Sequence, residues 1–237
     1  MRQLIKKRFP HFYQWVKDVL GKDPESMKGV FSTIHQSNAW LGAESVSGLG
    51  SDSVNTRVLK QELPGMLLEL GIKSMLDAPC GDLAWMKDIH GGLEQYIGAD
   101  IVPEVIRRNK KLHRTGNSEF KVLDITSSRL PRVDLILCRD CLVHFSSEHV
   151  AAALRNFKDS GSTYLLTTTF TGPRPNINIR TGEWRPLNLE ASPFSLPPPI
   201  RVVNEDYRGE DGKFADKSLG LWKLRDLDVA AVVKRIV

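Results

Sequence analysis

The sequence predicts an α/β domain built on a mostly parallel sheet with helices over its faces. Three observations carry this. Short apolar runs recur at 73–78, 95–99, 119–123, 133–138 and 162–169. Helical stretches separate several of them, notably 103–113 and 146–158. Parallel strands need crossovers of this kind, and a sheet covered on both faces reads as continuous apolar runs. The length of 237 residues fits one such domain with appendages better than two full domains.

Two units are expected along the chain. Residues 1–58 form an N-terminal helix and a Ser/Gly-rich lid segment. In the first 25 residues Phe9, Phe12, Val16 and Val19 repeat at helical spacing behind Pro10, which predicts a helical cap. Residues 43–56 have turn chemistry throughout, and the stretch 45–53 with Trp40 suits a lid. Residues 59–237 form the main domain. Its first helix runs from about Thr56 to Leu70, with Leu59, Leu63, Met66, Leu67 and Leu70 on one face and Gly71 as its C-cap. Residues 171–200 hold seven prolines and break the β/α rhythm, which marks them as a functional loop. Two last strands are expected near 200–205 and 219–225.

Bulk properties narrow the function classes. A net charge of +5 is mild, without the dense basic stripe of a nucleic-acid binder. No apolar run is long enough to span a bilayer, and the first residues lack a secretory signal, so a cytoplasmic protein is expected. Cys138 and Cys141 have CxxC spacing, but no second ligand pair accompanies them. They and Cys80 read as reduced structural cysteines.

The chemistry concentrates at strand ends. The first strand runs into Met75-Leu-Asp-Ala-Pro-Cys-Gly-Asp82, an acid followed by a small-residue turn. The second ends at Asp100, 23 residues after Asp77, and the third at Asp124. A carboxylate after the second strand can accept both hydroxyls of a ribose. The turn lacks G-x-G-x-x-G, so a pyrophosphate has no cradle, which disfavours an NAD- or nucleotide-sugar-binding enzyme.

This order of acid-ended strands resembles the class I S-adenosylmethionine-dependent methyltransferases over about residues 70–170. The string Leu-Asp-Ala-Pro-Cys-Gly-Asp is similar to that of a bacterial subgroup. The resemblance implies a Rossmann-like sandwich with a seven-stranded sheet, mostly parallel with the last strand antiparallel, and S-adenosyl-L-methionine as cofactor. By the same likeness Asp77 and Gly81 lie against the donor's methionine part, and Ala78, Pro79 and Arg139 also belong to the cofactor site. Asp100 holds the ribose, Asp124 approaches the adenine amino group, and Ile101 and Ile125 sandwich the adenine. The sequence departs from the usual Asp-x-Gly-x-Gly in having Pro79 at the first glycine.

The fourth strand ends in Cys138-Arg-Asp-Cys-Leu-Val-His-Phe145, beside the reaction site in that family. His144 is the candidate base, and Asp140, four residues before it, orients it or holds the acceptor if the turn is helical. No metal is expected; Asp140 with Glu205 or Asp206 is the minority metal reading. In the proline-rich loop Asn178, Arg180, Trp184 and Arg185 suit recognition of a hydroxylated acceptor. The leading expectation is O-methylation of a sugar, glycan or small hydroxylated metabolite. Methylation of protein or RNA is the alternative.

Overall fold

The computed structural model describes residues 26–40, 44–45, 47–209 and 212–236. The helical cap expected within residues 1–25 lies outside the described residues. The first described helix, α1 (Met27–Gln36), starts at Ser26, whose side chain accepts from the Gly29 amide at 3.2 Å. It buries Val30, Phe31 and Ile34. The Ser/Gly/Asn content of 26–58 hides this helix in a composition-based reading, although its cap and apolar spacing are present.

Helix α2 (Arg57–Glu69) buries Leu59, Leu63, Met66 and Leu67, the face the sequence predicts. It stops at Gly71, whose φ of 63° is the left-handed conformation that closes a helix. The β/α alternation follows: β1 (Ser74–Asp77), β2 (Gln95–Asp100), α3 (Pro103–Leu112), β3 (Ser118–Val122), β4 (Leu135–Cys138), α4 (Ser147–Asp159) and β5 (Tyr164–Phe170). Pro103 opens α3, where its missing amide costs no hydrogen bond. The closing elements are β6 (Arg201–Asn204), β7 (Lys217–Lys223) and α5 (Val229–Ile236).

The seven strands form one sheet in the order β3-β2-β1-β4-β5-β7-β6. Strands β1 to β5 pair in parallel, while β7 runs antiparallel to both β5 and β6. The expected mostly parallel sheet with an antiparallel last strand is therefore the observed one. The sheet is sealed on both faces. Leu76, Ile97, Ile136 and Leu165 pack in one apolar cluster, and Met75, Tyr96, Leu135 and Leu166 in the other. The direction of winding reverses between β1 and β4, and a crevice opens there at the strands' carboxyl ends.

Candidate active site

The crevice is walled by Asp77, Pro79, Gly81, Asp100, Ile101, Asp124, Ile125, Arg139, Asp140 and His144, and holds about 1050 Å³ of empty space continuous with solvent. The segment before α2 covers it: Met27, Phe31, His35, Trp40, Ser47 and Ser51 complete the wall. All of the residues expected to bind the donor line this cleft except Ala78, which is buried in the apolar core beneath it. Pro79 follows a cis peptide bond.

Asp77 and Asp100 are nearly sealed from solvent. Asp77 accepts a 2.6 Å hydrogen bond from the Tyr96 hydroxyl, and burial pushes its pKa up to about 7. Asp100 accepts from the Val102 amide at 2.9 Å and the Gly81 amide at 3.3 Å. Burial still raises its pKa to about 6. Each Asp100 oxygen accepts one of these bonds, which leaves a lone pair on each for a ligand hydroxyl. Asp124 also caps a turn: its Oδ1 accepts from the Thr126 amide at 2.8 Å and the Thr126 hydroxyl at 2.6 Å. Its other oxygen is left for the cleft.

Gly81 has a φ of 52°, and a Cβ there would collide with the Ser47 hydroxyl. The close approach at this glycine is thus made by the covering segment. Ser47 Oγ accepts from the Asp82 amide at 3.3 Å, and Ser45 donates to Asp82 Oδ1 at 2.9 Å.

At the end of β4 four charges interlock. Arg139 bonds Glu205 through Nε at 3.1 Å and Nη2 at 2.7 Å, and Nη2 also donates to the Gly50 carbonyl at 2.7 Å. Lys217 reaches Asp140 at 2.6 Å and Glu205 at 3.1 Å. Burial opposes the charge on Asp140, but Lys217 and Arg139 hold its carboxyl well below the usual range. Burial works against Arg139 too, yet Glu205 and Asp140 hold its pKa above the ordinary arginine value. Lys217, from β7, is the partner that sequence reasoning did not join to this site; Glu205 was paired with Asp140 there only as a metal ligand, and here it holds two cations. Removing one member of a buried ion pair strands the other, at a cost of about 3–5 kcal/mol. Lys217→Met is therefore expected to lose about that much stability in urea unfolding; a loss below about 1 kcal/mol would mean the quartet is incidental.

The same pairing bears on the metal reading. Asp140 and Glu205 face cations, and Asp206 pairs with Arg57 and Arg208 at 2.7 and 2.8 Å. Among the described residues no group of three or more potential ligands converges.

His144 ends a short 3-10 turn, Leu142–His144. Asp140 lies before it in a left-handed conformation, φ 51°, so the two do not share one helical face as the spacing suggests. Both still line the cleft. The His144 ring packs on Trp40 at a centroid distance of 5.0 Å. Its Nδ1 lies 2.9 Å from the Glu183 carbonyl, which can only accept, so Nδ1 carries the proton. Nε2 is left with its lone pair and has no partner among the described residues. Burial lowers the His144 pKa to about 4, so the ring is neutral at pH 7.

The proline-rich loop behaves differently from the expectation. None of Asn178, Arg180, Trp184 and Arg185 lines the cleft. Asn178 caps α4, accepting from the Ser147 amide at 2.8 Å. Trp184 packs edge-on against Phe170 and Phe214. Arg185 is wholly buried, and its Nη1 donates to the Leu142 and Val143 carbonyls at 3.1 and 3.2 Å. Arg180 turns its amide to Glu183 Oε2 at 2.9 Å. The loop serves as a strut that holds the 3-10 turn and His144 from behind. Of the side chains that look available to a ligand in sequence, those of Asn178 and Arg185 are engaged with backbone.

Residues 75–160 match the family model described as a methyltransferase domain. Over that stretch the chain is similar to a methyltransferase domain, and the sheet around it has the methyltransferase fold. The match spans β1 to the end of α4, the part that supplies the strand-end acids. Among proteins of curated function, none matches the chain in sequence. Solved structures that share the methyltransferase fold include a SAM-dependent methyltransferase from Leishmania major. That pair is 13% identical, covers 85% of this chain and 84% of the other, and has a TM-score of 0.63. Human N-acetylserotonin methyltransferase in complex with SAM matches at 14% identity over 92% of this chain and 68% of its own, TM-score 0.58. N-methyltransferase NodS from Bradyrhizobium japonicum WM9, in complex with S-adenosyl-L-homocysteine, matches at 15% identity over 80% and 97%, TM-score 0.55.

In a methyltransferase the buried acids set a pH dependence. The ribose hydroxyls of a bound donor would be accepted more strongly by an ionised Asp100 than by a protonated one. Asp100 has a raised pKa, so its carboxylate is lost as pH falls through about 6. Donor affinity is expected to weaken below that pH by up to about tenfold per unit. Calorimetric titration from pH 8 to pH 5 measures this, and a flat profile would show that Asp100 does not meet the donor.

Proposed function

We propose that this methyltransferase transfers a methyl group from S-adenosyl-L-methionine to a hydroxyl of a small-molecule or glycan acceptor, with His144 as the proton acceptor. The observation that carries this is the His144 ring, pinned at Nδ1 by the Glu183 carbonyl and left with an open Nε2 in a cleft shared with Asp77, Asp100 and Asp124. An alcohol loses its proton during attack and needs such a base. Asp100 would hold the ribose, Asp124 the adenine amino group, and Ile101 and Ile125 the faces of the adenine ring. The methyl donor supplies an activated carbon; the protein's task is to align it and take the proton.

Asp140 keeps its charge through Lys217 and would orient the acceptor. Residues 47–53 with Trp40 would act as the lid, tied down by Arg139 at the Gly50 carbonyl. The fold relatives do not choose the acceptor: one is named for N-acetylserotonin, another for N-methylation. The test is in two steps. Calorimetry should show S-adenosylhomocysteine binding, and labelled methyl from S-adenosylmethionine should appear on a hydroxylated acceptor. Absence of donor binding ends the proposal; transfer to nitrogen alone ends its O-methyl part.

A further inference from the structure

The charges around the cleft narrow the acceptor. Among the described residues five aspartates line it, Asp77, Asp82, Asp100, Asp124 and Asp140, against the single arginine Arg139. That arginine is already matched by Glu205 at 2.7 Å. Lys217, just behind the wall, is matched by Asp140 and Glu205. Acids thus outnumber cations in the lining of this cleft, within a chain of net charge +5. A carboxylate or phosphate on the acceptor would find no uncommitted cation among these residues, and like charges repel it.

The wall under the lid is aromatic. Phe31 lies 6.3 Å from Trp40 and 5.8 Å from Phe145, and Trp40 lies on His144. Flat rings pack favourably in such a cluster. The base beside it is weak, because burial lowers its pKa to about 4. A phenol, with a pKa near 10 as in tyrosine, yields its proton to such a base far more readily than an aliphatic alcohol, whose acidity is near that of water at about 15.7.

We propose that the acceptor is an uncharged phenol, its ring against Phe31 and Trp40 and its hydroxyl at His144 Nε2. This deepens the O-methyl reading above and rests on it. The oxygen–methyl bond forms as the sulfur–methyl bond breaks. The sulfur keeps the bonding pair as a neutral thioether, and the phenol proton passes to Nε2.

Three probes of similar size test it on the full chain saturated with S-adenosylhomocysteine: catechol, 3,4-dihydroxybenzoate and cis-1,2-cyclohexanediol. Calorimetry is expected to show catechol binding at least about tenfold more tightly than either other probe. With S-adenosylmethionine, labelled methyl is expected on catechol in excess of the other two by a similar factor. Equal or tighter binding of the benzoate overturns the charge argument, and equal methylation of the diol overturns the phenol. Catechol that fails to bind into the millimolar range also overturns the proposal. Failure of S-adenosylhomocysteine to bind in the first titration strikes the donor reading instead, so the two failures are distinguishable.

Discussion

Replacing His144 by glutamine is expected to lower kcat by about 10²–10⁴-fold, the usual contribution of a positioned proton acceptor. Donor affinity should stay within about twofold, because the proposed donor contacts are Asp77, Asp100 and Asp124, while the His144 ring packs on Trp40. The pH profile adds a second signature. The base works only when neutral, and burial lowers its pKa to about 4. Its contribution is therefore present through the neutral range and is lost as pH falls through about 4. That limb should vanish in His144→Gln, leaving only the weakening of donor binding set by Asp100. Stopped-time assays from pH 4 to pH 8, run once at saturating and once at limiting donor, separate the two. A variant with unchanged kcat would remove His144 from the reaction.

The second large effect is expected on the donor side. Asp100→Ala should raise the dissociation constant of S-adenosylhomocysteine by about 10²-fold or more. Two hydroxyl bonds to a carboxylate are worth about 1.5–3 kcal/mol each, and each 1.4 kcal/mol is tenfold. The substitution also frees the Gly81 and Val102 amides that Asp100 now holds. Asp100→Asn separates the two effects, since it keeps one acceptor oxygen for the backbone and loses the charge. Its loss should fall between those of wild type and alanine. Isothermal titration gives both constants, and an alanine variant within threefold of wild type would take Asp100 out of the ribose site.

Several parts of this site were legible in the sequence, and the reasons differ. Asp77, Asp100 and Asp124 stood out because each closes an apolar run, and in a parallel sheet all such ends fall on one edge. Their convergence follows from topology, so spacing suffices. His144 was visible for a similar reason, but the atom that sets its proton was not. Glu183 acts through its backbone carbonyl, and a carbonyl has no sequence signature. Asn178, Trp184 and Arg185 misled in the opposite way. Their side chains suit hydroxyl recognition, yet they satisfy the α4 N-terminus, the Phe170–Phe214 cluster and the Leu142 and Val143 carbonyls. A sequence does not say whether a donor serves a ligand or the protein's own backbone. Helix α1 was lost to composition. Lys28 and Gln36 face outward, and only Val30, Phe31 and Ile34 reveal the buried side.

The bond from Arg139 to the Gly50 carbonyl joins the covering segment to the buried quartet beneath it. The position of the cover over the crevice is therefore tied to how Glu205 and Asp140 hold that guanidinium, and a change at any member of the quartet is expected to reach the cover as well as the core.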